Sequence, residues 1–143
     1  MNDSAGDIVV ALEHELLTLT AVHEALLAET AALTEGDTDH IGIATTKKNV
    51  ALEAHQAAMT QRPAGDIPEG ANAELSTLQE RLASLASECQ DVNRRNGALI
   101  SKLSDRTKAA LNILQGTEDI AVLYSASGVE AATSKGSRVL GKA

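Results

Sequence analysis

Leucine recurs at seven-residue intervals near the start of the chain, at Leu12, Leu19, Leu26 and Leu33, with Leu16, His23 and Thr30 between them. That spacing lays one apolar seam along a helix, weakened toward its middle. Ser4 and Asp7 have capping-box spacing, so a first helix is expected over about 5–34. Gly36 offers a stop, and Asp37 with Asp39 offers an acidic start for a second helix over about 38–61. In that second helix Ile41, Lys48, His55 and Arg62 form one column, and Ala44, Ala51 and Ala58 a neighbouring one. Leu52 and Met59 add apolar surface, while Gly42 and the Thr45–Thr46 pair weaken its start. The stretch RPAGDIPEGAN, 62–72, holds both prolines and two glycines and predicts a loop.

The third segment has the longest pattern. Steps of three and four residues land on Leu75, Leu78, Leu82, Leu85, Cys89, Val92, Asn96, Leu99, Leu103, Arg106, Ala110 and Ile113. Only Asn96 and Arg106 break the apolar run, so a strand is excluded and a helix over about 73–115 is expected, with Gly116 as its cap. Leu111 and Leu114 widen the stripe near its end. Asn96 on the seam reads as a register-setting residue. Gly97 beside it costs a helix roughly 1 kcal/mol against alanine and reads either as a point of close approach or as the mark where the bundle ends and the binding half begins. The last segment, 116–143, is rich in Ser, Thr, Ala and Gly yet carries Ile120, Val122, Leu123 and Tyr124, and is expected to be a flexible, partly helical tail.

Short connections make neighbouring helices antiparallel. The fold class is therefore all-α: a three-helix antiparallel bundle or coiled coil over 1–115, with a long third helix and a C-terminal tail. At about 1.5 Å per residue the three helices measure roughly 45, 35 and 65 Å. The third outruns its partners from somewhere around Leu99 or Leu103, and its apolar stripe continues through Ile113 and Leu114. The tail, a second copy or a client's amphipathic helix could each cover that stripe.

Composition narrows the function. With 43% apolar residues the chain can bury a core, and with no Phe or Trp that core must be aliphatic. A net charge of −8 argues against nucleic acid and against adsorption to anionic lipid. No run of 18 apolar residues predicts stable membrane insertion. The polar start MNDSAGD lacks the features of a signal peptide, and a lone Cys89 excludes an internal disulfide, so a cytoplasmic protein is expected.

Candidate chemistry is sparse. His14, His23, His40 and His55 fall in no metal-ligand motif, and no metal or cofactor is expected. Cys89 sits on the third seam, where a thiol behaves as a small buried hydrophobe, and no catalytic residue is expected. No phosphate loop or nucleophile elbow occurs; YSASG lacks the first glycine and follows no strand. Tyr124, the only aromatic residue, is the exception that composition does not explain.

A cysteine midway along a long third helix, then NRRNGALI, then the basic, leucine-rich LSDRTKAALNILQG, then a tyrosine with a glycine four residues on, resembles the FlgN family of flagellar export chaperones. The resemblance covers nearly the whole chain and is most specific over 89–128. It implies a cytosolic chaperone that binds C-terminal amphipathic helices of hook–filament junction proteins and brings them to the flagellar type III export apparatus. It places client binding at the end of the third helix and in the tail, on Leu99, Leu103, Ala110, Ile113, Leu114, Ile120 and Leu123. It implies that Tyr124 docks on the cytosolic domain of the export gate, with Ser125 and Val129 standing where the family more often has glycine and a polar residue. The expected state is a monomer or weak homodimer. The contrasting reading is a structural coiled-coil adaptor that self-associates through the third helix.

Overall fold

The computed structural model describes residues 3–64 and the backbone of 73–140, with side chains over 4–64 and 73–116. Three helices follow one another: α1 (Asp3–Glu35), α2 (Thr38–Thr60) and α3 (Ala73–Leu140), and no strand occurs among the described residues. The chain divides into a compact unit of residues 1–101 and a second unit of 102–143.

The turn from α1 to α2 is built by two residues. Gly36 adopts φ 74°, the left-handed conformation that ends a helix at no steric cost to glycine, and its N–H returns to the Ala32 carbonyl at 3.0 Å. Asp37 then caps α2, its Oδ1 accepting from the N–H groups of Asp39 at 2.9 Å and His40 at 3.3 Å. Those backbone donors, His40 first and then Asp39, hold the Asp37 carboxyl below its ordinary pKa.

Two apolar clusters make the core of residues 1–101. Ile8 and Leu12 of α1 meet Leu75 and Leu78 of α3, with Leu82 and Leu16 at the margin. Farther along, Leu19, Val22 and Leu26 meet Cys89 and Val92, flanked by Ala51 of α2. Both clusters advance in the same sense along α1 and α3, so those two helices run parallel and α2 returns between them. The helix α2 contributes alanines to the interior: Ala44 and Ala58 are buried and Ala51 half-buried. Small side chains let α2 approach closely, which is why its apolar signal is weak in the sequence while its packing is sound.

By length and composition alone α1 would suit a membrane, since it carries an 18-residue window of mean hydropathy 1.3. Its apolar residues are divided between uses. Leu12, Leu19, Leu26 and Leu33 are buried in the bundle, whereas Val10, Leu17 and Leu27 are exposed.

Three expectations change. The first helix begins at Asp3, so Ser4 lies inside it and is not its cap. The third helix does not stop near 115; it runs through Gly116 to Leu140, so the expected cap is an ordinary helical residue without positive φ. A single glycine costs a helix about 1 kcal/mol, which a long helix absorbs. Gly97 marks no close approach: a Cβ there would meet nothing within 4 Å.

Candidate functional site

The interior of residues 1–101 holds a polar network that the leucine seam conceals. Beside the leucines of α1 runs a second seven-residue column, Ile8, Glu15, Val22 and Glu29, and all four are buried. Glu29 is wholly excluded from solvent at 0% exposure. Its Oε1 accepts from Lys48 Nζ at 2.8 Å and from Thr45 Oγ1 at 3.3 Å; its Oε2 accepts from Asn96 Nδ2 at 2.9 Å. Glu15 receives Arg62 as a fork, Nε to Oε1 at 2.7 Å and Nη2 to Oε2 at 2.5 Å. The Glu15 hydrogen bonds push the Arg62 guanidinium further up its already high pKa.

Fourteen residues separate the two carboxylates on α1, and fourteen separate their cations, Lys48 of α2 and Arg62 just beyond its end, in the reverse direction. Both ion pairs therefore belong to one antiparallel register. Sliding either helix by one turn would strand both carboxylates in the core. Between them, His55 Nδ1 lies 2.9 Å from Thr18 Oγ1, whose own proton goes to the Glu15 carbonyl. The His55 nitrogen is accordingly the donor in that pair.

Asn96 ties α3 into the same network. At 1% exposure it donates Nδ2 to the Leu26 carbonyl at 3.0 Å as well as to Glu29, and its Oδ1 accepts from Thr30 Oγ1 at 2.6 Å. Every polar atom of its side chain has a partner, as a buried amide requires. The expectation that Asn96 sets register thus has a concrete basis: it contacts α1 at two levels and meets the carboxylate that α2 neutralises. Among the described residues no buried side-chain polar atom lacks a hydrogen-bond partner.

The remaining candidates from the sequence have ordinary surroundings. Cys89 is buried, and burial, with a smaller contribution from Glu88, pushes its thiol up, away from nucleophilic character. A cleft of about 300 Å³ opens beside it, lined by Leu19, Val22 and Leu26 of α1, Leu52 and His55 of α2, and Asn93 of α3. His23 lies 3.7 Å from Glu88, and His40 lies 3.5 Å from both Glu35 and Asp37. No metal-holding group of His, Cys, Asp and Glu occurs among the described residues.

The candidate binding residues separate by burial. Leu99 and Leu103 are half-buried, and every residue from Ser104 to Gln115 is exposed. Leu111 is 52% exposed, Leu114 60% and Ile113 70%. At 100° per residue, Leu103, Ala110 and Leu114 share one face of α3, with Ile113 and Leu111 on its two flanks. Ile120, Leu123 and Tyr124 lie on the helical backbone of α3, but their side chains fall outside the described residues.

The sequence reading missed Glu15 and Glu29. A signal existed: a seven-residue column with acids fourteen apart, facing a column with Lys48 and Arg62 fourteen apart. Leu111, read from the sequence only as widening the stripe, is as exposed as the residues it accompanies.

Among known families, a model described as FlgN protein aligns with residues 1–132. No curated protein and no solved structure matches the chain.

Proposed function

The chain belongs to the FlgN family of flagellar export chaperones, and on that premise we propose that it binds C-terminal amphipathic helices of hook–filament junction proteins in the cytoplasm and delivers them to the flagellar type III export apparatus. The observation that carries this reading is the exposed apolar face of α3. Large aliphatic side chains held in water on a regular helix are ready to receive the apolar face of another helix, in the helix-in-groove mode of peptide recognition. Leu99, Leu103, Ala110, Ile113 and Leu114, flanked by Leu111 and continued by Ile120 and Leu123, form the client surface. Covering the client's apolar stripe keeps it from self-association before export. The segment 116–143 belongs to this binding half.

Binding needs no turnover, and the chaperone acts by burial alone. Tyr124 docks on the cytosolic domain of the export gate. A lone aromatic side chain supplies a rigid apolar anchor with a hydroxyl to satisfy, a common form of interface hot spot.

Titration calorimetry of the full chain with a C-terminal peptide of a hook–filament junction protein tests the reading. Leu111→Ser with Leu114→Ser should weaken binding by tenfold or more, about 1.4 kcal/mol, while the helical signal of the free chain is unchanged. Tyr124→Ala should keep the client and lose the gate domain. Peptide affinity indifferent to the two leucines would refute the assigned surface, and gate binding intact in Tyr124→Ala would refute the docking role.

A further inference from the structure

The charge of this chain is divided unevenly. Residues 1–101 carry six Lys and Arg against sixteen Asp and Glu, a net of −10; residues 102–143 carry six against four, a net of +2. Within 102–116 the bases are Lys102, Arg106 and Lys108, and the only acid is Asp105. Helical geometry places Arg106 three residues after Leu103 and four before Ala110, on the border of the exposed leucine face, with Lys102 one turn before it. Asp105 falls on the opposite side. The three cations are exposed. Among the described residues Lys102, Arg106 and Lys108 have no ion pair, as Lys47, Arg81 and Arg95 of the first region also have none.

Resting on the client-binding reading above, we infer that the segment this face takes is an acidic amphipathic helix, with carboxylates that meet Arg106 and Lys102 beside the leucines. A purely apolar helix laid along Leu103 and Leu114 would strip water from Arg106 and leave its guanidinium uncompensated, which opposes binding. A carboxylate on the incoming helix removes that penalty and matches the guanidinium fork. Lys108, farther from the contact, raises the encounter rate of an acidic segment.

Two other occupants fit this surface less well. An anionic lipid surface would attract these three bases but repel the −10 of residues 1–101. The acidic residues 1–101 of a second copy would join unlike surfaces into reciprocal dimers, rings or filaments, each of which shows as concentration-dependent self-association.

The test uses the full chain and two labelled synthetic amphipathic peptides of about 20 residues, alike in their leucine positions, one flanked by glutamate and the other by lysine. Fluorescence anisotropy should show the glutamate peptide binding about tenfold more tightly than the lysine peptide, the yield of two exposed ion pairs. That advantage should shrink between about 0.05 M and about 0.5 M NaCl as screening shortens the reach of charge. Arg106→Glu should abolish or invert it, and because Arg106 is exposed, far-UV circular dichroism should be unchanged.

Equal, salt-independent binding of both peptides, weakened in both by Leu111→Ser with Leu114→Ser, would leave the apolar surface standing and overturn the charge inference. If the glutamate peptide fails where a junction-protein peptide binds, the inference is also wrong. If no peptide of any kind binds, the client-binding reading falls with it. Capture by phosphatidylglycerol vesicles, or concentration-dependent self-association, that is lost in Arg106→Glu without any peptide preference would reassign the cations and overturn the inference.

Discussion

In residues 1–101 the leucine seam of α1 lies against α3, and even the carboxylates beside it have donors, while Leu17 and Leu27 off that seam stay exposed. In residues 102–116 a stripe of the same period leaves Leu111 and Leu114 in solvent. Leu26 and Leu114 make the contrast concrete: the same side chain, on a helix in each case, is 3% exposed at one position and 60% at the other. One charged position shows a similar contrast. Lys48 holds a buried carboxylate, whereas Lys102 and Arg106 face water. Periodicity therefore specifies that a helix has an apolar face, and the supply of neighbouring helices decides whether that face becomes core or binding surface.

The contrast is sharpest where a buried charge loses its partner. Lys48→Ala should destabilise the chain by about 3–5 kcal/mol, because Glu29 stays in the core without its cation. Lys108→Ala should change stability by less than about 0.5 kcal/mol. Urea denaturation of the two variants compares them directly, and similar midpoints would erase the distinction drawn between the regions. Replacing Glu29 and Lys48 together by Leu and Met should restore much of the loss.

Next in size is the leucine pair. Leu26→Ala should cost about 2–5 kcal/mol through lost burial and a cavity, and Leu114→Ala less than about 0.5 kcal/mol. Thermal unfolding followed by circular dichroism would show it. A large loss from Leu114→Ala would mean that this side chain serves folding and not recognition.

A smaller effect of opposite sign is expected at Gly97. Its added Cβ meets nothing, so Gly97→Ala should stabilise by up to about 1 kcal/mol. A loss of stability there would reveal a contact on that side of α3.

The smallest is the pH dependence of the α2 cap. Asp37 has a lowered pKa in the folded chain, so its stabilising effect is complete above the unfolded carboxylate value of about 4 and is lost as pH falls through the lowered value. The melting temperature of Asp37→Ala should lie below that of the parent at neutral pH, and the gap should close in acid. A gap independent of pH would assign the capping effect to something other than the carboxylate.

Much of this architecture was legible from residue spacing. The leucine heptad of α1, the turn at Gly36–Asp37 and the long third helix all rest on local rules, period and cap chemistry, whereas most of the loop expected over 62–72 lies outside the described residues. Those rules failed at Gly116, because a glycine signals a helix end only when it adopts positive φ, and here it does not. They also passed over Glu15 and Glu29. A glutamate on a seam reads as solvated until its partner is known, and the partners Arg62 and Lys48 are 47 and 19 residues away.

The sequence by itself determined the helices, their order, the aliphatic character of the core and the unequal distribution of charge, since each depends on residues near one another or on simple counting. Tertiary structure decided which face of α1 is interior, which register α2 takes against it, and where the stripe of α3 passes from core to exposed surface. Those outcomes depend on contacts between distant residues, in which an unpaired buried charge costs far more than a misplaced leucine gains, so that register follows the ion pairs.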